Sequence, residues 1–94
     1  MNILSRIKSA IRSGGYEVTD HAWEEAQSDD FTIEDIRSAI LAGKINKKYT
    51  LDPRGTRYKV RGPALDGRSL DVICRFTHTD ELRLITVFAS TDEA

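Results

Sequence analysis

Residues 55–76 hold two segments with the alternation of a β-strand, one on each side of a short turn. In the first segment, 56–62, every second residue is a cation, and these are Arg57, Lys59 and Arg61. Because successive side chains of a strand point to opposite faces of a sheet, the three cations are predicted to share one face. Such a face is either an ordinary solvated surface or a surface that binds phosphate groups.

Three helices are predicted before this hairpin, because apolar residues recur there at helical spacing. Each helix also has residues of the types that start or end helices. In chain order these are Gly14-Gly15 as the end of the first helix, Thr19 or Asp20 as the cap of the second, Thr32 and Asp35 as a capping box of the third, and Gly43 as its end.

After Gly43 the sequence has the alternation and the turn residues that are typical of strands. Only short turns separate these segments, which favours an antiparallel meander. The tripeptide Tyr16-Glu17-Val18 is interpreted as an extended link between two helices. We therefore predict an α+β fold in which N-terminal helices pack on one face of a four-stranded antiparallel sheet. The predicted strands are Lys44–Tyr49, 56–62, Ser69–Phe76 and Leu82–Ala89.

Length and composition set the broad class. A chain of 94 residues suits one domain, and no apolar run approaches the roughly 20 residues that span a bilayer, so no membrane partner is expected. The one cysteine, Cys74, lies within an apolar run and has no partner for an internal disulfide. We expect a buried, structural thiol in a protein of the reducing cytoplasm.

The charges are distributed unevenly, although the net charge is only −1. Residues 1–42 carry four cations and eight acids, a net charge of −4. Residues 43–83 carry ten cations and five acids, a net charge of +5. The predicted sheet is therefore the basic half of the protein, which is compatible with an anionic partner there.

Few residues are candidates for chemistry. Two histidines and one cysteine match no metal-ligand spacing, and no glycine-rich phosphate loop occurs, so neither a metal nor a cofactor is predicted. His21 is the candidate for proton transfer near neutral pH. The alternative is that its ring only packs and bonds backbone at a helix start. His78, in a predicted hairpin turn, is interpreted as a solvated loop residue.

The cations of the sheet allow one specific chemistry. Cleavage of RNA needs positive charge to stabilise a pentavalent phosphorane, and an acid or base for the 2′-oxygen and the leaving group. Sheet-borne arginine and lysine beside a histidine could supply both. We assign His21, Arg61 and Arg75 to catalysis, and Arg57, Lys59 and Lys48 to RNA or phosphate binding. The alternative is that these cations form the solvated face of a charge-rich protein.

Several short motifs follow one another in a fixed order: Tyr16-x-x-Thr19-x-His21-Ala22, Asp35-Ile36, Ala39-Ile40-x-x-Gly43, Tyr58-x-Val60-x-Gly62, Gly67-Arg68-x-Leu70-x-Val72 and Leu84-Ile85-Thr86-Val87. Over 16–89 they resemble the domain of unknown function 4258 family, which leaves 1–15 as a helical extension of the single domain 1–94. That family resembles the RelE/ParE/BrnT superfamily of toxins from toxin–antitoxin systems. The resemblance implies a RelE-like α+β fold, a metal-independent ribonuclease activity and an antitoxin protein as partner.

Two functions remain open from the sequence. The first is a small toxin-like protein that binds or cleaves RNA, with His21 as the acid or base. The second is a non-catalytic protein-interaction module, a degenerate relative of the toxin fold. The acidic helical half favours the second function, as does Glu25, which stands where similar sequences usually carry arginine. A DNA-binding regulator is disfavoured because no helix has the basic recognition face of such proteins.

Overall fold

The computed structural model describes residues 2–91. Within this range three helices and five strands follow one another, and the α+β class predicted from the sequence is confirmed. Their bounds are α1 Ile3–Ser13, β1 Tyr16–Val18, α2 Asp20–Ser28, α3 Ile33–Ala42, β2 Lys44–Tyr49, β3 Arg57–Pro63, β4 Ser69–Phe76 and β5 Leu82–Ala89.

The ends of the helices are fixed by the residue types that the sequence indicated. Asn2 caps α1, and Gly14 ends it in the left-handed conformation with φ 82°. Thr19 is the N-cap of α2 and accepts a hydrogen bond from the backbone N–H of Ala22. Helix α1 is part of the core, since its residues Ile7 and Ile11 are fully buried.

The predicted capping box of α3 is confirmed. The Asp35 carboxylate accepts a hydrogen bond from the Thr32 backbone N–H at 2.8 Å, while the Thr32 hydroxyl accepts one from the Asp35 N–H. Asp35 also accepts the backbone N–H of Leu65 at 2.9 Å, which ties the helix start to the β3–β4 turn. The bonds from Thr32 and Leu65 hold the pKa of Asp35 below its usual value.

The sheet has five strands in the order β1-β5-β4-β3-β2, so the predicted four-stranded antiparallel sheet is wrong in strand number and type. Strands β2 to β5 form the predicted antiparallel meander. The additional strand is the tripeptide Tyr16–Val18, which pairs parallel to the start of β5. The tripeptide was interpreted as a link because three residues are too short to show a strand pattern, and its partner lies 66 residues further along the chain at Leu82.

Strand β1 covers only part of the edge of β5, and helix α2 with its caps covers a further part. Beyond the last β1 pair, backbone groups of β5 bond to α2 and its cap: the Thr19 hydroxyl donates to the Ile85 carbonyl, Glu25 accepts from Val87 N–H at 3.1 Å, and Asp29 accepts from Ala89 N–H at 3.1 Å. These side chains satisfy backbone groups that would otherwise be left at an open sheet edge.

Two glycines allow α3 to lie directly on β3. A Cβ atom at Gly62 would be 1.9 Å from the Ala39 carbonyl oxygen, and one at Gly43 would be 2.4 Å from the same atom. Gly43 ends α3 with an extended backbone, so it is glycine here because of the close approach and not because of a left-handed turn. Ala39, Gly43 and Gly62 all belong to the motifs that carried the family resemblance.

The sheet has one face in the core and one face without helices. Even-numbered residues of β4, such as Val72 and Cys74, are fully buried in one cluster with α1, α2 and α3. Burial raises the pKa of the Cys74 thiol to about 12, as expected for an unreactive core residue. Among residues 2–91, no helix is both long enough and apolar enough to cross a membrane.

Candidate anion-binding site

The sheet face opposite the helices, here called the helix-free face, carries most of the cations of the basic half. Strand register places its side chains in rows that run across the sheet. Two rows join cations on β2 to cations on β3, since Lys44 is opposite Arg61 and Lys47 is opposite Lys59. Like charges directly opposite one another destabilise a sheet, so such pairs are expected where an anion compensates for them.

A third row contains three arginines on neighbouring strands, and we call it the arginine row. Arg75 on β4 is opposite Arg83 on β5. Tyr58 on β3 is paired with Cys74 on β4, and the two strands are antiparallel. Arg57, which precedes Tyr58, therefore lies beside Arg75, which follows Cys74. Neighbouring strands are about 4.8 Å apart, so the three backbones bring positive charge within about 10 Å.

Carboxylates neutralise the two outer arginines of the row. Arg83 forms a salt bridge with Glu17 of β1, and the Arg57 Nε atom lies 3.2 Å from an Asp52 carboxylate oxygen. The backbone N–H of Arg54 holds the pKa of Asp52 below its usual value, and the charges of Arg54 and Arg57 act in the same direction. Arg75, in the middle, forms no salt bridge within residues 2–91, although its side chain is partly buried.

The cations Lys59 and Arg61 are engaged by a buried acid. Asp71 is 1 % exposed and accepts two hydrogen bonds from Arg61, at 2.7 and 3.0 Å. Lys59 approaches the same carboxylate at 4.0 Å, and the Ser90 hydroxyl donates to it at 2.9 Å. Burial alone would raise the pKa of Asp71, but the bonds from Arg61 and Ser90 and the two positive charges bring it below its usual value.

An aromatic ring ends the arginine row on β2. Tyr49 is opposite Arg57, and the Arg57 guanidinium and the Lys47 ammonium each lie 5.2 Å from the centre of its ring. These distances are within the range of cation–π contacts. Tyr58, by contrast, alternates with the cations along β3, faces the core and packs against it. Tyr49 is therefore an aromatic residue that lies among the cations of this face.

A cleft of about 360 Å³ opens beside the arginine row, at the turn between β4 and β5. Its lining includes Arg75 and Arg83 of the row, Arg54 of the β2–β3 loop, and His78 and Glu81 of the turn. Arg54 also borders a second cavity, of about 760 Å³, that includes Tyr49 and Arg57. Both cavities are therefore lined by Arg54 and by residues of the arginine row.

The structure brings four of the six predicted site residues onto one face and leaves two elsewhere. Arg57, Lys59, Arg61 and Arg75 share the helix-free face. Lys48 is opposite Tyr58 and thus belongs to the other face of the sheet, although it borders the larger cavity.

His21 is not brought together with the cations. It lies in the first turn of α2, at the β5 edge of the sheet, whereas β3 is two strands further in. Its side chain is 66 % exposed, and its ring Nε2 lies 3.3 Å from the Glu25 carboxylate, which bonds the backbone of β5. The proton-transfer role of His21 therefore stays a prediction, and the arginines assigned with it, Arg61 and Arg75, lie on β3 and β4.

The structure confirms that His78 is exposed in a turn, but it also places His78 in the lining of a cleft with Arg54, Arg75 and Arg83, which sequence reasoning missed. His78 was interpreted as a solvated loop residue because it stands in a hairpin turn. The signal available in the sequence was its position between two strands that each carry an arginine, Arg75 and Arg83, close to the turn. Within residues 2–91, no group of three or more histidine, cysteine, aspartate or glutamate side chains is placed to hold a metal ion.

These features define a small α+β protein with a basic, helix-free sheet face and a cationic cleft at one end of it. The chain belongs to the family described as domain of unknown function (DUF4258), whose model matches residues 18–89. Among curated proteins and among solved structures, the comparisons find no match. The family match spans α2, α3 and strands β2 to β5, and it begins at the last residue of β1.

Proposed function

We propose that the protein is a toxin-like RNA-binding protein and that RNA binds on the helix-free face. The observation that carries this proposal is the position of Arg75. It lies between two further arginines and has no carboxylate of its own within residues 2–91, so its charge is available to a ligand. A phosphate group would compensate for the repulsion within the arginine row.

An extended polyanion fits this face better than one small anion does. Opposed cations occur in three places along the sheet, at Arg75 and Arg83, at Lys47 and Lys59, and at Lys44 and Arg61. Asp71 engages Lys59 and Arg61, whereas Lys44 and Lys47 form no salt bridge within residues 2–91. A single phosphate would contact only one of these pairs. A nucleic acid strand presents a phosphate at every nucleotide and could contact all three.

Single-stranded RNA is favoured over duplex DNA. The cations lie on a sheet and are accompanied by Tyr49, and a sheet with aromatic and cationic side chains suits unpaired bases and their phosphates. Readers of duplex DNA usually insert a helix with a basic face into the major groove, and none of the three helices lies on the basic face of this protein.

The test is RNA binding by the intact chain, measured by fluorescence anisotropy with a labelled single-stranded RNA of mixed sequence. Arg75→Ala should weaken binding by about tenfold, which corresponds to one charge-assisted contact. Arg12→Ala is the matched control, because Arg12 is exposed on α1, which packs in the core on the other side of the sheet, and its loss changes the net charge equally. Equal weakening by both variants would attribute binding to net charge alone and contradict the proposed site.

Salt dependence provides a second readout. If phosphates contact the helix-free face, the logarithm of the affinity should fall linearly with the logarithm of the salt concentration, with a slope of about 0.7 per phosphate neutralised. Arg75→Ala should make that slope less steep, whereas Arg12→Ala should leave it unchanged. An affinity that does not respond to salt would rule out the basic face as an RNA site.

The second candidate function is a protein-interaction module, and one exposed patch favours it. Trp23 on α2 is 39 % exposed and borders a cavity of about 430 Å³ together with Phe31 and Ile33. Exposed tryptophan is typical of protein interfaces. An antitoxin-like partner could bind there while RNA occupies the opposite side. Purification from the native cell with a partner protein but without RNA would favour this candidate, and Trp23→Ala should then release the partner.

A further inference from the structure

The cavity beside Trp23 is an apolar groove that also carries negative charge, and we call it the Trp23 groove. Its apolar lining consists of Trp23 on α2 and of Phe31 and Ile33 at the start of α3. Asp30 and Glu34 line the same cavity of about 430 Å³. The apolar side chains can bury the apolar part of a partner, and the carboxylates can pair with positive groups.

Trp23 is not held at this surface by the core. Its neighbours on α2, Ala22 and Ala26, are fully buried, whereas Trp23 is 39 % exposed. Within residues 2–91, Trp23 belongs neither to the core nor to the partly buried residues that pack against it. Tryptophan at the centre of a protein interface often contributes much of the binding energy. The exposed indole therefore favours a partner that covers it.

Contacts within the chain fix one wall of the groove. Phe31 is 2 % exposed, and the Arg68 guanidinium lies 4.2 Å from the centre of its ring. Arg68 also donates to the backbone carbonyls of Asp29 and Asp30, at 2.8 and 3.3 Å. Its positive charge is paired with the Asp66 carboxylate at 2.7 Å. The wall is therefore formed before any partner binds, which lowers the cost of binding.

The charge around the groove is negative. Residues 19–42, which contain α2 and α3, carry seven acids and one cation, a net charge of −6. The carboxylates of Asp30 and Glu34 form no salt bridge within residues 2–91. A surface of this sign repels nucleic acids and acidic peptides and attracts basic ones.

We propose that the Trp23 groove binds a basic amphipathic segment of another protein. An apolar side chain of the segment fills the cavity, and an arginine or lysine lies between the Trp23 ring and the two carboxylates. Tryptophan is the best aromatic partner for a cation, and Asp30 and Glu34 pair with the same positive group. The inference goes beyond RNA binding and rests on the second candidate function, for which it names the chemistry of the partner.

The test uses the intact chain and a synthetic peptide that forms an amphipathic helix of leucine and arginine. Anisotropy of the labelled peptide gives the affinity. Trp23 is the one tryptophan of the chain, so a change in its fluorescence reports binding at the groove itself. Two further peptides test the chemistry, one with glutamate in place of arginine and one with serine in place of leucine. Both should bind about tenfold more weakly or worse.

Variants assign the binding to named residues. Trp23→Ala should weaken binding of the leucine–arginine peptide by about thirtyfold, and Asp30→Asn by about two- to fivefold. Asp80→Asn is the matched control and should bind as the wild type does. Asp30 and Asp80 are both exposed and have left-handed backbones, with φ 61° and 66°, which asparagine tolerates. RNA binding should be unchanged in Trp23→Ala.

Four results would overturn the inference. The first three are no binding of the leucine–arginine peptide, equal binding of the leucine–glutamate peptide, and equal affinities of Asp30→Asn and Asp80→Asn for the basic peptide. The fourth is dimerisation of the protein alone that Trp23→Ala abolishes, which would make a second copy the occupant. Equal binding of the acidic peptide would leave the protein-interaction candidate in place, with a partner of other chemistry. None of these results affects the RNA site, which anisotropy with labelled RNA tests separately.

Discussion

Arg75 and Arg83 are directly opposed on two antiparallel strands, on the face of the sheet that lacks helices. Glu17 neutralises Arg83, whereas Arg75 has no carboxylate partner within residues 2–91. A sheet that only had to be stable would gain by losing this repulsion, because directly opposed like charges destabilise a sheet, whereas favourable cross-strand pairs contribute roughly 0.2–1 kcal/mol. The pair is thus a local cost to folding that a bound anion would offset.

We expect Arg75→Gln to make the free protein more stable by a few tenths of a kcal/mol to about 1 kcal/mol, because it removes the repulsion. RNA affinity should fall in the same variant. Urea denaturation with and without RNA measures both effects. Arg83→Gln is the comparison, and its gain should be smaller because it also breaks the salt bridge to Glu17. Lower stability of Arg75→Gln in the absence of RNA would contradict this account.

Gly62→Ala should destabilise the protein by about 3 kcal/mol or more, because the added Cβ would meet backbone that has no room to move. That atom would lie 1.9 Å from the Ala39 carbonyl oxygen. Gly15→Ala is the matched control: its Cβ would meet only the Ser13 hydroxyl, at 3.4 Å, and its effect should be within about 1 kcal/mol. Thermal denaturation of both variants provides the measurement. Similar melting temperatures would show that α3 can move away from β3.

The sequence was informative where structure is determined locally. Thr32 and Asp35 predicted a capping box because their bonds join residues three apart, and those bonds are present. The alternation of Arg57, Lys59 and Arg61 predicted a shared face, because the period of a strand is a local property, and the register confirms it.

Features that depend on distant contacts could not be predicted in this way. The strand Tyr16–Val18 exists only because β5 pairs with it from the far end of the chain. In the sequence, Glu25 stands where similar sequences usually carry arginine. In the fold, its carboxylate accepts the Val87 N–H and covers the edge of β5. The position of His78 depends on how β4 and β5 bring their arginines beside the turn, and its own neighbours in sequence give no indication of that.

Asp71→Asn should cost about 3 kcal/mol, because it leaves the charges of Arg61 and Lys59 without their buried partner. The matched control is Asp80→Asn, which makes the same substitution in the exposed pair of Asp80 with Arg6. Exposed pairs contribute little, so the control should lose less than about 1 kcal/mol. Chemical denaturation at neutral pH compares the two. Equal losses would mean that burial of Asp71 does not strengthen its interactions.

The Cys74 thiol should resist alkylation in the folded protein. It is fully buried, and burial raises its pKa to about 12, so almost no thiolate is present at neutral pH. Iodoacetamide should therefore modify the native protein very slowly and the urea-unfolded protein at the rate of an ordinary thiol. Mass spectrometry follows the reaction. Rapid modification of the native protein would show that β4 opens locally without global unfolding.

Acid should destabilise the protein through the carboxyls whose pKa values are lowered in the folded state. Hydrogen bonds lower the pKa of Asp35, and those from Arg61 and Ser90 outweigh burial at Asp71. A carboxyl with a lower pKa in the folded than in the unfolded state stabilises the fold above the unfolded value, about 3.9 for aspartate. That stabilisation is lost as the pH falls through the lower, folded value. The free energy of unfolding should therefore be flat near neutral pH and fall below about pH 4.

The same linkage predicts how variants respond to acid. Asp71→Asn has one carboxyl fewer to protonate, so its free energy of unfolding should start lower at neutral pH and fall less steeply below about pH 4. Asp80→Asn is the control here too, because it removes one carboxyl from an exposed site, in contact with Arg6 at 3.4 Å. Urea titrations at a series of pH values give both slopes. A wild-type slope in Asp71→Asn would show that this carboxyl has the same pKa in the folded and unfolded chains.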